Sequence, residues 1–363
     1  MKRRDFLLGV AAGSAALGLR VPRAESAGTA AQQGWRTFEV VTRVDVADPA
    51  GATRRWLPVP MRQPTDYQRT LDTHREAPSA HRAKRIALPG YGIELLAVEW
   101  PDAPGVGTVT VTRQVQTRDR RVALAAGKRS TAASRRRACT NSCARPSCCR
   151  PTASSKPPPR RSPQGNRPTS TRRAIYEWVV DNTARSEDAR RRRRRCRQHA
   201  RNHHPSGKCA DINALFVALA RTANIPARDA YGVRVADSRL EYHCIGRSGD
   251  VSKTQHCRAE FYAQSHGWIP VDPADVRKLM LEEAPGGPPA TDSKVQSARA
   301  LLFGNWEMNW IAYNHGHDIA LPNQAGKPVP FLMYPNGETA ERRLDRLDPS
   351  AFRYSITSRE IAA

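Results

Sequence analysis

The chain has 363 residues and carries 59 lysines and arginines against 34 aspartates and glutamates, a formal net charge of +25 at pH 7. This length leaves room for two domains of ordinary size. A basic balance of this kind ordinarily indicates a nucleic-acid partner. Residues 118–205 hold +20 of the charge, however, so composition excludes a chain that is basic throughout.

The N-terminus has the order of an export signal. Lys2-Arg3-Arg4-Asp5-Phe6-Leu7-Leu8 precedes a mildly apolar stretch to Leu19, and small residues follow around 24–31. The apolar run is about a dozen residues, which is too short to span a bilayer of about 30 Å. Residues 1–30 thus resemble a twin-arginine signal, which predicts a periplasmic or secreted protein without a transmembrane segment.

Residues 35–117 are predicted to form a β-rich N-terminal domain. Hydrophobic residues alternate from Phe38 to Val46, and short apolar runs follow at 56–60, 93–100 and 108–115. Proline, glycine and aspartate separate these runs. The pattern is typical of a small β-sandwich.

A segment rich in arginine, proline and cysteine follows at 118–170, and a second basic patch lies at 185–205. Neither has helical or strand periodicity, so the first is predicted to be disordered. Between them, residues 171–182 have the pattern of an amphipathic helix. We interpret both segments as shifted-frame translations of a GC-rich gene, and reading the DNA in the other two frames tests this.

The basic segments suggest two binding functions. A genuine arginine-rich linker would hold RNA or DNA through its phosphates, but no aromatic residue interleaves with the arginines between 120 and 172, so base stacking is missing. Cys196, His199, His203 and His204 have a spacing similar to that of a metal site. They lack a predicted scaffold, so no metal site is predicted.

A cysteine stands at the predicted start of a helix. Ser206-Gly207-Lys208-Cys209-Ala210-Asp211 opens an apolar stretch with helical spacing that ends at Asn224-Ile225-Pro226. Asparagine is tolerated in a left-handed C-cap, and proline cannot continue a helix. The helix dipole and the Lys208 ammonium are therefore expected to favour the Cys209 thiolate.

A predicted hairpin supplies a base and an acid. Residues 256–263 alternate, with His256 on the polar face of the strand. A turn at Ser265-His266-Gly267 leads to a second strand that ends at Asp272. The hairpin is expected to place His256 and Asp272 side by side, as a thiol nucleophile requires of its partners.

Three motifs together resemble the core of the transglutaminase-like superfamily, which includes bacterial thiol peptidases. They are Gly207-Lys208-Cys209, Ile225-Pro226-Ala227-Arg228, and His256 with Gly267-Trp268 and Asp272-Pro273; Asn224 stands where the family has glycine. The resemblance implies an α+β fold of the papain and transglutaminase type, with the nucleophile helix packed on an antiparallel sheet. This domain is expected at 171–363 with its core at 207–275, and aromatic strands near 306–313, 331–334 and 352–357 are expected to complete it.

The resemblance also implies roles. Cys209 would be the nucleophile, His256 the general base and acid, and Asp272 the orienting carboxylate of an acyl transfer or hydrolysis at amide bonds in a protein or peptide. No cofactor is predicted, and the sequence has no Asp-x-Asp-x-Asn-Gly calcium loop. In an oxidising compartment Cys244 and Cys257 were expected to be able to pair. An inactive binding module of the same fold is the alternative, and hydrolysis, transamidation and oligomeric state stay open.

Overall fold

The structure is a computed structural model that describes residues 34–46, 51–76, 82–88, 92–100, 107–124, 168–185, 206–348 and 352–361. Its helices are α1 Pro168–Asn182, α2 Cys209–Thr222, α3 Pro273–Glu282 and α4 Ser293–Leu301, and a 3-10 turn spans His243–Ile245. Its strands are β1 Arg36–Val46, β2 Thr53–Pro58, β3 Gln68–Glu76, β4 Arg82–Leu88, β5 Ile93–Trp100, β6 Gly107–Thr117, β7 Arg120–Arg121, β8 Ala184–Arg185, β9 Ser206–Gly207, β10 Ala227–Arg234, β11 Gly249–Asp250, β12 Gln255–Ala263, β13 Gly267–Val271, β14 Asn305–Trp306, β15 Trp310–Asn314, β16 His317–Ile319, β17 Val329–Phe331, β18 Asn336–Glu338 and β19 Arg353–Ile361.

Two antiparallel sheets form a β-sandwich. Their strand orders are β11-β19-β1-β6-β3 and β18-β2-β5-β4. The alternation from Phe38 to Val44 has its predicted consequence, because Phe38, Val40 and Val44 are buried while Arg43 is exposed. Val44 from one sheet and Leu57 from the other belong to the same apolar cluster, which fills the space between the sheets.

A third, central sheet has the order β13-β12-β10-β15 and is antiparallel throughout. Helix α2 packs against β12 and β10 on one face of it, where Phe216 contacts Phe261. A separate apolar cluster, which includes Trp306 and Trp310, also packs against residues of the sheet. Because β12 is covered in this way, all but one of its residues are buried. A helix on an antiparallel sheet is the α+β arrangement that the resemblance of the three motifs implied.

The C-terminal strands differ from the prediction. Strand β15 completes the central sheet by pairing with β10. Strand β19, however, pairs with β1 along nine residues, and β18 pairs with β2. The prediction that residues 352–357 complete the layer around the nucleophile helix is therefore wrong. Their alternating pattern predicts a strand, but it does not specify which edge the strand joins.

The ends of the basic segments are more regular than predicted. Arg120 and Arg121 form β7, which pairs with β14, and α1 begins at Pro168 rather than at 171. Ala184–Arg185 pairs in parallel with Ser206–Gly207. The disorder predicted from residue 118 is therefore wrong for 118–124 and for 168–170. Four cysteines of the first basic segment, Cys139, Cys143, Cys148 and Cys149, lie outside the described residues, as do residues 1–33.

No helix in the described ranges is long and apolar enough to cross a membrane.

Candidate active site

Cys209 is the first residue of helix α2, as the sequence predicted. Lys208 is extended, with φ −87° and ψ −175°, and its backbone N–H donates to Asp211 Oδ2 at 2.9 Å. At Gly207 a Cβ atom would overlap the Asp211 side chain. In the Gly-Lys-Cys-x-Asp sequence the aspartate therefore caps the first turn of the helix and fixes the direction of the backbone at Cys209.

Replacing Gly207 by alanine is expected to push Asp211 off the Lys208 amide. The loss of one N-terminal hydrogen bond should cost about 1 kcal/mol of stability and slow the alkylation of Cys209. Thermal unfolding and iodoacetamide labelling measure both effects. Gly326→Ala is the matched control, because a Cβ there meets only the Arg343 side chain, at 3.8 Å. Equal labelling rates in the two variants would contradict the expectation.

The C-terminal end of helix α2 also follows the prediction. Asn224 has a φ of 59°, which is the left-handed conformation that asparagine tolerates. The Ile225 N–H donates to the Ala220 carbonyl at 2.9 Å. Strand β10 then starts at Ala227, so this cap turns the chain from the helix into the sheet on which the helix packs.

The hairpin brings His256 and Asp272 together. Strands β12 and β13 pair from Ala259 opposite Val271 to Ala263 opposite Gly267, and Gly267 takes the positive φ of 74° that the turn requires. His256 Nε2 lies 2.7 Å from Asp272 Oδ2. Both side chains are buried, at 4% and 0% exposed. Asp272 Oδ1 also accepts from the Asp275 N–H at 3.1 Å and so caps helix α3.

Neighbouring residues of strands β10 and β15 fix the backbone of His256. Its carbonyl accepts a hydrogen bond from Trp310 Nε1 at 2.9 Å. Gly232 lies directly opposite His256 in β10, and a Cβ at Gly232 would overlap the Ile311 carbonyl and the Trp310 ring. The absence of a side chain at 232 therefore allows the indole to reach the strand that carries His256.

Asn213 links the nucleophile helix to the other two residues. It lies one turn after Cys209 and is fully buried. Its Nδ2 donates to the Cys257 carbonyl at 2.8 Å and to Asp272 Oδ1 at 3.2 Å. Its Oδ1 accepts from the Ala274 N–H at 3.4 Å. One amide side chain thus ties together helix α2, strand β12 and the cap of α3.

Asn213→Ala is expected to leave these buried groups without partners. Because an unsatisfied buried polar group costs about 1 to 3 kcal/mol, we expect the free energy of unfolding to fall by about 2 to 3 kcal/mol. Chemical denaturation followed by circular dichroism measures it. Gln296→Ala, which removes an exposed amide of helix α4 that donates to the Ala290 carbonyl, is the control and should change stability by less than about 0.5 kcal/mol.

The pKa values of Cys209 and His256 move toward each other. A hydrogen bond with the Cys257 thiol holds the pKa of the Cys209 thiol well below its usual value, and the His256 imidazole adds to this, although burial opposes it. Burial and Arg234 act to lower the pKa of His256, but the carboxylates of Asp275 and Asp272 outweigh them and raise it. Such opposite shifts favour a thiolate–imidazolium pair.

Cys257 is a direct partner of the site rather than half of a disulfide. In the described part of the chain Cys209, Cys244 and Cys257 are all free thiols. The expected ability of Cys244 and Cys257 to pair is therefore not realised. Burial and the neighbouring Cys209 raise the pKa of Cys257, so it stays a neutral thiol that can donate to the Cys209 sulfur.

The site also contains three side chains with the donor atoms of a metal site. His256, Asp272 and Asp275 bring their ligand atoms within 4.8 Å of one another. Arg234 Nη2 lies 2.5 Å from Asp275 Oδ1, and Arg258 Nε lies 3.6 Å from Asp272 Oδ2. Two guanidinium groups already compensate the two carboxylates, so the cluster has the composition of a hydrogen-bonded charge network rather than of a cation site.

Comparison with known proteins finds a family match over the part of the chain that holds this site. Residues 161–273 match the model of the transglutaminase-like superfamily, and this range holds Cys209, His256 and Asp272. Residues 161–273 are transglutaminase-like. An uncharacterized protein of Haemophilus influenzae is 41% identical over 165 residues, which are 43% of this chain and 44% of that protein. The match therefore spans less than half of the relative's length.

Two solved structures have a looser likeness to the chain. A candidate cysteine protease from Cytophaga hutchinsonii aligns with a TM-score of 0.45 at 14% identity, over 90% of this chain and 98% of that one. The periplasmic domain of TgpA from Pseudomonas aeruginosa, bound to ethylmercury, aligns with a TM-score of 0.22 at 13% identity, over 67% of this chain and 90% of that one. Scores this low do not bear on function.

Sequence reasoning missed several polar residues of the site. Asn213 interrupts an otherwise apolar helix, and a polar residue one turn after the cysteine was a readable signal. Asp275 stands three residues after Asp272, in the first turn of α3, and looks like an ordinary helix-start acid. Arg234 is distant in sequence from all of them, so nothing local indicated it. Cys196, His199, His203 and His204, for which no metal site was predicted, lie outside the described residues.

Proposed function

We propose that the transglutaminase-like domain is a thiol enzyme that carries out acyl transfer or hydrolysis at amide bonds in proteins or peptides. The contact of His256 Nε2 with Asp272, at 2.7 Å, supports this most directly. Since Asp272 occupies Nε2, the other ring nitrogen is left to serve Cys209, which interacts with the imidazole. Nucleophile, base and orienting acid thus follow the order that thiol catalysis requires.

In this mechanism the Cys209 thiolate attacks the carbonyl carbon of an amide. His256, as imidazolium, gives a proton to the leaving amine, and the acyl group stays on the sulfur as a thioester. Neutral His256 then takes a proton from the incoming water or amine, which releases the product. Asp272 keeps the ring in one orientation throughout.

The start of helix α2 offers donors for the oxyanion. The Asp211 and Ile212 amides both donate to the Lys208 carbonyl, at 3.0 and 3.1 Å. The first N–H groups of a helix have no partner within the helix, and the N–H of Cys209, the first residue of α2, is one of these groups. A developing negative charge there would be stabilised by this N–H and by the helix dipole.

The proposal is tested with the full chain and two probes. Fluorescein-labelled casein reports hydrolysis, and dansylcadaverine with casein reports transfer to an amine. Cys209→Ala should abolish whichever activity is found, whereas Cys244→Ala, which removes a half-buried thiol outside the site, should retain it. Activity that survives Cys209→Ala would refute the proposal. Rapid alkylation of Cys209 at neutral pH without either activity would favour the non-catalytic binding module.

We also propose that the protein acts outside the cytoplasm, and residues 2–8 support this through their twin-arginine order. In a Gram-negative host, changing both Arg3 and Arg4 to lysine should move the protein from the periplasmic to the cytoplasmic fraction, while Lys2→Arg should not. Periplasmic protein in the double variant would contradict export by this route.

A further inference from the structure

A second carboxylate faces the imidazole in addition to the predicted one. Asp275 Oδ1 lies 3.4 Å from His256 Nε2, on the same ring nitrogen that Asp272 holds at 2.7 Å. Both carboxylates come from the start of helix α3, where Asp272 is the cap and Asp275 the third residue. The helix geometry therefore presents two anionic oxygens to one N–H.

Asp275 has few other partners for its charge. Its side chain is 1% exposed, and Arg234 Nη2 donates to Oδ1 at 2.5 Å. The second oxygen, Oδ2, is buried without a hydrogen-bond partner. A carboxylate that served only to pair with Arg234 would gain by using both oxygens in a bidentate contact. Here Arg234 and Asp275 are joined by a single hydrogen bond, and Oδ1 lies between the guanidinium and the imidazole.

The charged groups around His256 come from four elements. Asp272 and Asp275 face it from α3 and its cap, Arg234 faces it from β10, Arg258 from its own strand, and Cys209 from the start of α2. Of these, Asp275 and Arg234 have opposite effects on the protonated ring, because one attracts the positive charge and the other repels it. Burial strengthens both effects by excluding water.

We propose that Asp275 is a positioning residue of this site: with Asp272 it shares the Nε2–H of His256 and stabilises the imidazolium, while Arg234 fixes its carboxylate. This inference rests on the proposed function for its relevance to catalysis. A second anion allows the His256 imidazole to keep its positive charge beside the Cys209 thiolate even though the site is buried. Asp272 alone would have to offset both burial and the two neighbouring arginines.

The test is the titration of His256 in the full chain, labelled with ¹⁵N-histidine and followed by NMR. The His256 signals are assigned by their loss in His256→Gln. Asp275→Asn keeps the size and a donor–acceptor contact with Arg234 but removes the charge, and should lower the titration midpoint by about one pH unit or more, a tenfold or greater loss of proton affinity. Arg234→Gln removes the repelling charge and should raise the midpoint.

The opposite signs separate electrostatic positioning from loss of structure, because a loosened site would move both midpoints in the same direction. Glu283→Gln is the matched control: it also removes a buried carboxylate, with 5% of its side chain exposed, but from the other end of helix α3, and should leave the midpoint unchanged. A folded Asp275→Asn variant with the wild-type midpoint overturns the proposal, as do two shifts of the same sign. If Asp275→Asn does not fold, Arg234→Gln decides, and a midpoint that does not rise overturns it.

This readout does not depend on turnover. A lowered midpoint in a chain that cleaves and transfers nothing would leave the positioning role intact and refute the proposed function. If instead the chain is active and the His256 midpoint does not change in Asp275→Asn, the positioning role is refuted and the proposed function stands.

Discussion

Under the proposed function, replacing His256 by glutamine is expected to reduce turnover by about a thousandfold or more. Glutamine cannot exchange the proton between sulfur and leaving group. Removing the imidazole also removes one of the groups that lower the pKa of Cys209, while the burial that opposes ionisation remains. The alkylation curve of Cys209 should therefore shift to higher pH. Casein turnover and the pH dependence of iodoacetamide labelling, with the adduct located by peptide mapping, measure the two effects.

His266→Gln is the control for this change. His266 lies in the β12–β13 turn, where its Nδ1 contacts Ser265 at 2.6 Å, and its loss should leave both measurements within about twofold of wild type. An unchanged labelling curve in His256→Gln would mean that the imidazole does not ionise the thiol. The chain would then keep the fold of the family without its chemistry.

Glu260→Gln is expected to have the largest effect on stability. Glu260 is 1% exposed and binds Arg228 Nε at 2.6 Å, with Arg120 on its other oxygen and His315 nearby at 3.8 Å. Removing one member of a buried ion pair leaves its partners uncompensated and costs about 3 to 5 kcal/mol. Urea unfolding at pH 7 measures this loss. Glu360→Gln, in a surface pair with Arg36, is the control and should cost at most about 1 kcal/mol.

The same carboxylate should govern stability in acid. Burial acts to raise the pKa of Glu260, but Arg228 and Arg120 outweigh it and hold the pKa far below its usual value. A depressed carboxyl pKa contributes stability above the unfolded value, about 4.3, and that contribution is lost as the pH falls through the folded value. Wild type should therefore lose stability below about pH 4.3 more steeply than Glu260→Gln does. Parallel stability curves would show that the network contributes little.

Local patterns predicted the parts of the site that depend on near neighbours. The start of the nucleophile helix at Cys209, its end at Asn224 and the β12–β13 hairpin each depend on residues within about a turn or a strand of one another. Helix capping and strand alternation are short-range effects, so the residues themselves specify them. For the same reason the pairing of His256 with Asp272 followed from the length of one hairpin.

Contacts between distant segments were not predictable in this way. Arg120 reaches Glu260 from strand β7, and Arg234 reaches Asp275 from β10. The alternation of β12 correctly predicts a polar face with His256, Arg258 and Glu260, but that face is buried rather than in water. Only the packing of other elements over it turns three polar residues into a charge network.

The sequence by itself determined the thiol at a helix start and the histidine and aspartate of one hairpin, because hydrogen-bond geometry and side-chain period act over a few residues. Tertiary structure decided which sheet the last strand joins, which thiol lies against Cys209, and that a second carboxylate faces His256. Those outcomes depend on burial. A buried charge must find a partner wherever the fold supplies one, however far away in the chain that partner lies.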